Sequence, residues 1–293
     1  MKCEGTEDMA DLTAIILTHN EEKNIRNCIT SVQPIAKRII VVDSGSTDNT
    51  LEYARELGAE VIVNVMTPFL YAKQFLYAME KADIKTKWVF RIDADEELTE
   101  ESAKEIDELC NANTDTDVNG LVVRFGVCFM GRELKHGGIY PFKKLLVFKY
   151  GKGNIEDRQM DEHIVLYEGR SIEVKNDSLH HDYKDLSAWI AKHNNYSSRE
   201  AMDYYLAGDH NGEENAGYSM TVRIKRFIKY HIYYKLPMGS RAHLYYWYRY
   251  YIKLGFLDGR EGKIFAFLQA YWYRFLVDAK LYEKQINDKE NFE

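Results

Sequence analysis

Between Leu12 and Ile92 the chain repeats one alternation: a short, wholly apolar run, a polar turn, then apolar residues at helical spacing. The first run is Leu12–Thr18, "LTAIILT", and behind it Ile25, Cys28, Ile29 and Val32 recur every three or four positions, which predicts an amphipathic helix. Asn20 is the candidate N-cap of that helix, because its side-chain oxygen can accept from an N–H of the first turn. The second run, "RIIVVD", ends at Asp43 in the turn-rich "SGSTDNT", from which a helix is expected to run to Leu57 and stop at Gly58. "EVIVN" is the third run, residues 70–82 form an amphipathic stretch, and "WVFRI" is the fourth run. Buried β-branched runs alternating with helices predict an α/β fold with a mostly parallel sheet covered on both faces. Ligands of such sheets gather beyond the carboxyl ends of the strands. The segments from Thr18 to Glu22, Asp43 to Asp48 and Asp93 to Glu97 are therefore expected to share one crevice.

Later the pattern loosens. A helix is expected from about Thr99, with Glu96, Glu97, Glu100 and Glu101 read as its solvated acidic entry. "GLVVRFGVCF" and "KLLVFKY" read as strands, and "MGRELKHGGIYPF" between them as loop. A helical stretch from Trp189 to Ala207 precedes the polar break "GDHNGEENAG". A boundary placed in that break divides the chain into a catalytic segment, 12–215, and a basic, aromatic, helical region, 216–293.

Composition narrows the function classes. With 45% hydrophobic and 29% charged residues among 293, the chain is that of a folded protein. Cys3, Cys28, Cys110 and Cys128 show no metal or disulfide spacing and fit a reducing compartment. A cytoplasmic location is expected on that ground; the first residues lack an apolar core of signal-peptide length and no window is long and apolar enough to span a bilayer, so the chain is not expected to cross a membrane. A net charge of -7 gives nucleic acid no support as a partner. The distribution is uneven: Ala216 to Leu257 contains no Asp or Glu, but holds Arg223, Lys225, Arg226, Lys229, Lys235, Arg241, Arg249 and Lys253 among many tyrosines. Such a segment suits an anionic membrane surface, with rings at headgroup depth and cations on phosphates. RNA binding by stacking uses the same residue types, and tyrosines packed against the body are the structural alternative.

The chemistry concentrates at "FRIDADEELT". Asp93 and Asp95 form an Asp-x-Asp at a strand end, a pair of hard oxygen ligands for Mg²⁺ or Mn²⁺ that also takes oxygens from phosphates. From the end of the second run, Asp43 can accept from a base N–H, while Ser44 to Asp48, Ser46 included, can line a ribose and phosphate path.

"AIILTHNEEKNIRNCITSV", "IIVVDSGSTDNTLEYARELGAEV" and "WVFRIDADEELT" together resemble glycosyltransferase family 2, of GT-A fold. Within it the chain is similar to bacterial envelope-polysaccharide enzymes, including the lipopolysaccharide-core glucosyltransferase group. The likeness continues through "FMGRELKHGGIYP", "IEDRQMDEHIV", "LHHDYKDLSAWIAKHNNYS" and "LGFLDGREGKIFAFLQAYWYRFLVDAKLYE". It implies that Thr18, Asn20, Glu21 or Glu22, Ser46 and Asp43 hold the nucleotide. It also implies that Asp93 and especially Asp95 bind the metal on the donor diphosphate, and that His180, with His181 as rival, completes that site. Two departures from the family stand out: His19 is placed where Tyr is usual, and "AKQFLYAM" keeps Gln74 but puts Phe75 and Leu76 where Arg and Asn are usual. Lys73 is the candidate replacement for the missing cation.

The reaction so implied is metal-dependent, inverting transfer of a hexose from a nucleotide sugar, UDP-linked by default, to a lipid-linked saccharide at the inner face of the plasma membrane. An inverting enzyme needs a carboxylate in reach of the acceptor hydroxyl. Glu162 is the expected base, with Asp157 second; Glu156 and Asp157 also read as surface charges paired with Arg158. His136 to Gly138, "HGG", reads as an acceptor loop or as a simple turn. Two other classes compete: a phosphohydrolase using the Asp-x-Asp, and a membrane-associated scaffold without catalysis.

Overall fold

Each apolar run forms a strand in the computed structural model, which describes residues 9–67, 70–156, 162–207, 227 and 235–290. Strands β1 (Leu12–Thr18), β2 (Arg38–Asp43), β3 (Glu60–Val63) and β4 (Trp88–Asp93) lie parallel in the order β3-β2-β1-β4. Every position of β1 is buried because both faces of the sheet are covered. On one face Leu12, Ala14 and Ile16 pack with Ile25, Ile29 and Ile106; on the other Ile15 and Leu17 pack with Phe75, Ala78 and Ile164. The covering helices are α1 (Ile25–Val32), α2 (Thr50–Glu56), α3 (Tyr71–Lys81) and α4 (Glu100–Ala112).

The sheet then turns mixed. Introduced in chain order, the remaining strands are β5 (Glu96–Glu97), β6 (Val118–Phe129), β7 (Arg132–Leu134), β8 (Phe142–Lys149), β9 (Gly153–Ile155), β10 (Ile164–Leu166) and β11 (Arg170–His181). The order beyond β4 is β8-β6-β11-β5, with β8 antiparallel to β4 and β9 pairing β10 separately. Register positions the site: Thr18 lies opposite Asp43, and Leu17 opposite Asp93. Three functional segments are thereby brought to neighbouring strand ends.

Two local expectations change. Asn20 does not cap α1: it adopts a left-handed φ of 56° and α1 begins at Ile25, with Asn24 preceding it. Glu96 and Glu97 are not helix entry, because they form β5 and pair with β11, Glu96 opposite His180 and Glu97 opposite Leu179. Only Glu100 and Glu101 occupy the first turn of α4, which Thr99 and Ser102 close as a reciprocal capping box.

The described residues pack as two compact units, one of residues 1–126 and 142–183, the other of 127–141 and 184–293. In the second unit α5 (Leu186–Ala207) packs along the helix Tyr273–Glu290 through Ala201, Tyr273, Val277 and Leu281. Glu200 fixes the pairing, accepting from Tyr273 Oη at 2.7 Å and from Arg274 at 2.6 Å. The polar break in which the sequence set its boundary lies outside the described residues, as do Arg223, Lys225, Arg226 and Lys229. Arg241 and Arg249 are buried: Arg241 pairs with Asp278 at 2.6 Å, and Arg249 donates to the Gly137 carbonyl at 2.7 Å. Among the described residues no helix is long and apolar enough to cross a membrane.

Candidate active site

The loops after β1 and β2 are laced together by their own polar groups. Asp43 is fully buried, and its carboxylate accepts from Thr18 Oγ1 at 3.0 Å, Gly45 N–H at 2.8 Å, Ser46 N–H at 2.7 Å and Ser46 Oγ. A carboxylate has about four acceptor positions, so all are used within the turn. Asp43 therefore shapes this wall, and the bond to a base N–H expected of it would have to displace one of these donors. The neighbouring loop is tied to it: Asn20 N–H donates to Ser46 Oγ at 2.8 Å, and Asn20 Oδ1 accepts from Thr47 N–H at 2.9 Å. Glu22 accepts from the Asn49 N–H at 3.3 Å, and His19 is exposed. Buried Asn24 extends the lacing, donating to Glu21 at 2.7 Å and Asp182 at 2.9 Å and accepting from Tyr183 N–H at 2.9 Å.

The end of β4 is built from charges. Asp93 accepts from Arg91 at 3.0 Å on one oxygen and from Lys144 Nζ at 3.1 Å on the other. Lys144 also donates to Glu96 at 2.6 Å, and Glu96 reaches back to the Asp93 N–H at 3.1 Å. Burial alone would raise the Asp93 carboxyl; Arg91 and Lys144 outweigh it and hold it low. Glu96 goes the other way, because burial of a side chain with no exposure outweighs its bond to Lys144. Burial works against the Lys144 ammonium, yet Glu96 and Asp93 keep it charged by raising it. One cation thus serves two carboxylates.

Glu162 joins this group. Its carboxylate, 11% exposed, stands 3.7 Å from the Arg91 guanidinium, and burial raises its pKa against the pull of Arg91. A raised pKa makes a carboxylate a stronger proton acceptor, as a general base requires. Asp157 lies outside the described residues. Glu156 accepts from the His163 N–H at 3.3 Å.

The expected metal set of Asp93, Asp95 and His180 is not assembled. Asp93 is already bound by two cations, and His180 opposes Glu96 and stacks near Phe142 at 6.4 Å. The Asp95 carbonyl, in the turn between β4 and β5, accepts from His181 N–H at 2.8 Å. His181 stacks on Tyr183 at 3.9 Å, and Tyr183 Oη donates to Glu97 at 3.0 Å. Among the described residues no group of three or more His, Cys, Asp and Glu side chains is set to hold a metal ion. The donor set nevertheless fits a cation carried in by a diphosphate, since Mg²⁺ is commonly held by one or two carboxylates with phosphate oxygens completing the shell.

Helix α3 accounts for the departure at Phe75. Phe75 is fully buried against Phe148 at 6.3 Å, so this position faces the core. Gln74, also buried, donates to the Asn64 carbonyl at 3.0 Å and pins the chain after β3. Lys73 is exposed. The buried guanidinium at the site is Arg91, packed 6.0 Å from the Tyr71 ring, and sequence reasoning missed both it and Lys144. The signal available was a cation within or at the start of an apolar strand run, Arg91 in "WVFRID" and Lys144 in "KKLLVFK".

A model of the group described as "Glycosyl transferase family 2" matches residues 13–162. An uncharacterized glycosyltransferase of Rickettsia typhi is 28% identical over 209 residues, covering 68% of this chain and 70% of that protein. The lipopolysaccharide core biosynthesis glycosyltransferase LpsC of Rhizobium meliloti is 27% identical and covers 93% of this chain and 92% of its own length. Among solved structures, the mannosyltransferase PcManGT of Pyrobaculum calidifontis, in complex with GDP-Man and Mn²⁺, aligns over 97% of this chain and 88% of that one. The TM-score is 0.54 at 15% identity, a likeness of fold.

Proposed function

The chain belongs to glycosyl transferase family 2, and from that premise we propose that it is a metal-dependent, inverting hexosyltransferase acting on a lipid-linked saccharide of the bacterial envelope. Membership displaces the phosphohydrolase and scaffold readings. The observation that carries the proposal is the convergence of Glu162 with Arg91 and Asp93, distant in sequence, beside the turn built on Thr18 and Asp43. In this reading Thr18, Asn20, Glu22, Asp43 and Ser46 form the wall against which the nucleotide lies, with Asp43 acting through the turn it holds.

Asp95 would hold Mg²⁺ or Mn²⁺ borne by the donor diphosphate, with His180, or His181 whose N–H meets the Asp95 carbonyl, as the candidate histidine. That cation, when bound, neutralises charge on the leaving diphosphate. Glu162 takes the proton of the acceptor hydroxyl as it attacks the anomeric carbon opposite the leaving group. Asp93, balanced by Lys144, holds Arg91 beside Glu162 and so keeps that carboxylate in place. A UDP-hexose is the default donor. Likeness to LpsC supports an acceptor in the lipopolysaccharide core.

Contact with the cytoplasmic face of the membrane is supported by a short segment crowded with exposed apolar side chains, among them Trp247, Tyr248, Tyr251, Ile252, Phe256 and Leu257. With Arg241 and Arg249 turned inward, rings contribute more than cations among the described residues. A thermal-shift panel of UDP- and GDP-hexoses, with and without Mn²⁺, tests the donor reading. Ligand at a hundredfold its Kd adds about 2.7 kcal/mol of stability, and a chain unmoved by every nucleotide sugar is not this enzyme.

A further inference from the structure

The second unit carries a histidine–aspartate pair that the proposed reaction does not use. His136 follows β7, and Asp258 immediately precedes the helix Gly259–Phe265. The Asp258 side chain is 5% exposed and accepts three hydrogen bonds: from His136 N–H at 2.8 Å, Lys135 N–H at 3.2 Å and the His136 ring at Nδ1, 2.7 Å. The loop is also fastened without the ring. Gly137 N–H donates to the Lys253 carbonyl at 2.8 Å, and Arg249 Nε donates to the Gly137 carbonyl at 2.7 Å. Gly137 has a φ of 71°, and a Cβ at Gly255 would come within 2.9 Å of the Arg249 carbonyl, so both glycines are needed for this close approach.

Four ties to backbone groups would hold a turn in place with any side chain at position 136. The imidazole adds something else. A carboxylate oxygen accepts and does not donate, so Nδ1 carries the hydrogen, and Nε2 is left to bond outward, as an acceptor in the neutral ring or a donor in the charged one. The His136 side chain is 38% exposed, and Nε2 has no hydrogen-bond partner among the described residues. A buried carboxylate that fixes tautomer and ring orientation is how proteins prepare an imidazole to meet a partner in a set geometry. Tyr251 and Phe256, on the segment whose Lys253 carbonyl receives the Gly137 N–H, are exposed as well, and small-molecule sites combine apolar surface with a few placed polar groups.

We propose that the second unit binds a saccharide on its own, with Nε2 of His136 forming a hydrogen bond to a hydroxyl group of the sugar. The identity of the ligand as a sugar rests on the transferase reading above; the prepared nitrogen does not. The test is side-chain ¹⁵N NMR of the full chain titrated with a panel of methyl hexosides, alongside His136→Asn. Asn retains an N–H donor for Asp258 where Nδ1 stood and removes Nε2. The His136 ring signals should move on addition of at least one hexoside, and His136→Asn should bind it on the order of tenfold more weakly with an unchanged melting temperature. Ring signals that stay fixed throughout the panel, or a variant that binds as tightly as wild type, overturn the proposal. Nucleotide-sugar hydrolysis without acceptor, measured on the same preparations, separates the two readings. It should be unaffected by His136→Asn, and its absence in the wild-type protein counts against the transferase reading while leaving the ring signals to decide this one.

Discussion

The two walls at the strand ends hold their carboxylates in opposite ways. On the β1–β2 side, Asp43 is satisfied by two backbone N–H groups and two hydroxyls, none of them charged. On the β4–β8 side, Asp93, Glu96 and Glu162 are set against Arg91 and Lys144. The first arrangement fixes a backbone shape, since each bond has one geometry and one donor. The second fixes a balance of charge, which a substrate bearing phosphates or a departing proton can disturb. A rigid wall suits recognition of a nucleotide, and a poised cluster suits the chemistry.

The largest effect should come from the poised side. Glu162→Gln preserves shape but removes the proton acceptor, and transfer should fall by about 10²- to 10⁴-fold with donor binding intact. Because burial raises the pKa of Glu162, the charged form is disfavoured by the fold, and the variant should be no less stable than wild type. Transfer in the wild-type enzyme should decline toward acid with a midpoint above the ordinary glutamate range. A variant with near wild-type transfer removes Glu162 from the reaction.

Lys144→Met comes next, and it tests the balance itself. Removing one partner of a buried charged group costs about 3–5 kcal/mol, and here two carboxylates lose the same cation. Both would then ionise less readily in the folded protein, so protonation relieves the strain. The deficit should be largest near neutral pH and shrink as pH falls, read by urea unfolding at the two pH values. A deficit independent of pH would mean that Lys144 acts through packing alone.

How far these walls could be read in advance differs as they do. The strands were legible, because continuous apolar runs of strand length leave few alternatives once both faces are buried. Their register brought Thr18, Asp43 and Asp93 together as the carboxyl-end rule anticipates. Glu162 was reached through resemblance, since no local pattern ties it to β4. Glu96 was misread because carboxylates just before a helix usually sit in water near its positive end; a two-residue strand paired with β11 buried it instead. Arg91 and Lys144 were missed for a related reason: a cation in a strand is ordinarily an edge or solvent-facing residue, whereas here Arg91 meets Asp93 along its own strand and Glu162 from beyond it, and Lys144 on the antiparallel β8 meets Asp93 and Glu96. The Asp43 turn was seen, but sequence does not count how many acceptor positions a turn consumes.

The smaller effects belong to the rigid wall. Asp43→Asn keeps size and removes one acceptor oxygen, leaving buried N–H or O–H donors of the Ser46 turn without a partner. Hydrogen bonds to a charged acceptor contribute about 1.5–3 kcal/mol, so the expected loss is about 2 kcal/mol, below that of Lys144→Met. Among the described residues no cation bonds to this carboxylate, so the loss should vary little between low and high salt, unlike that of a charge-balanced site. Donor affinity should fall with the loosened turn.

Thr18→Val is the mildest test and the most discriminating. It deletes one neutral hydroxyl, 3.0 Å from Asp43, with the strand and the other three donors left in place. A single such bond contributes about 1 kcal/mol. If Asp43 serves only to hold the turn, the three remaining bonds still hold it, and the variant should bind nucleotide sugar nearly as wild type while melting slightly lower. If the Thr18 hydroxyl or the Asp43 carboxylate meets the nucleotide directly, affinity falls by tenfold or more at the same small cost in stability. Calorimetric titration of the variant with the donor found in the thermal-shift panel separates these outcomes, and a large loss of affinity would show that the rigid wall also contacts the nucleotide it shapes.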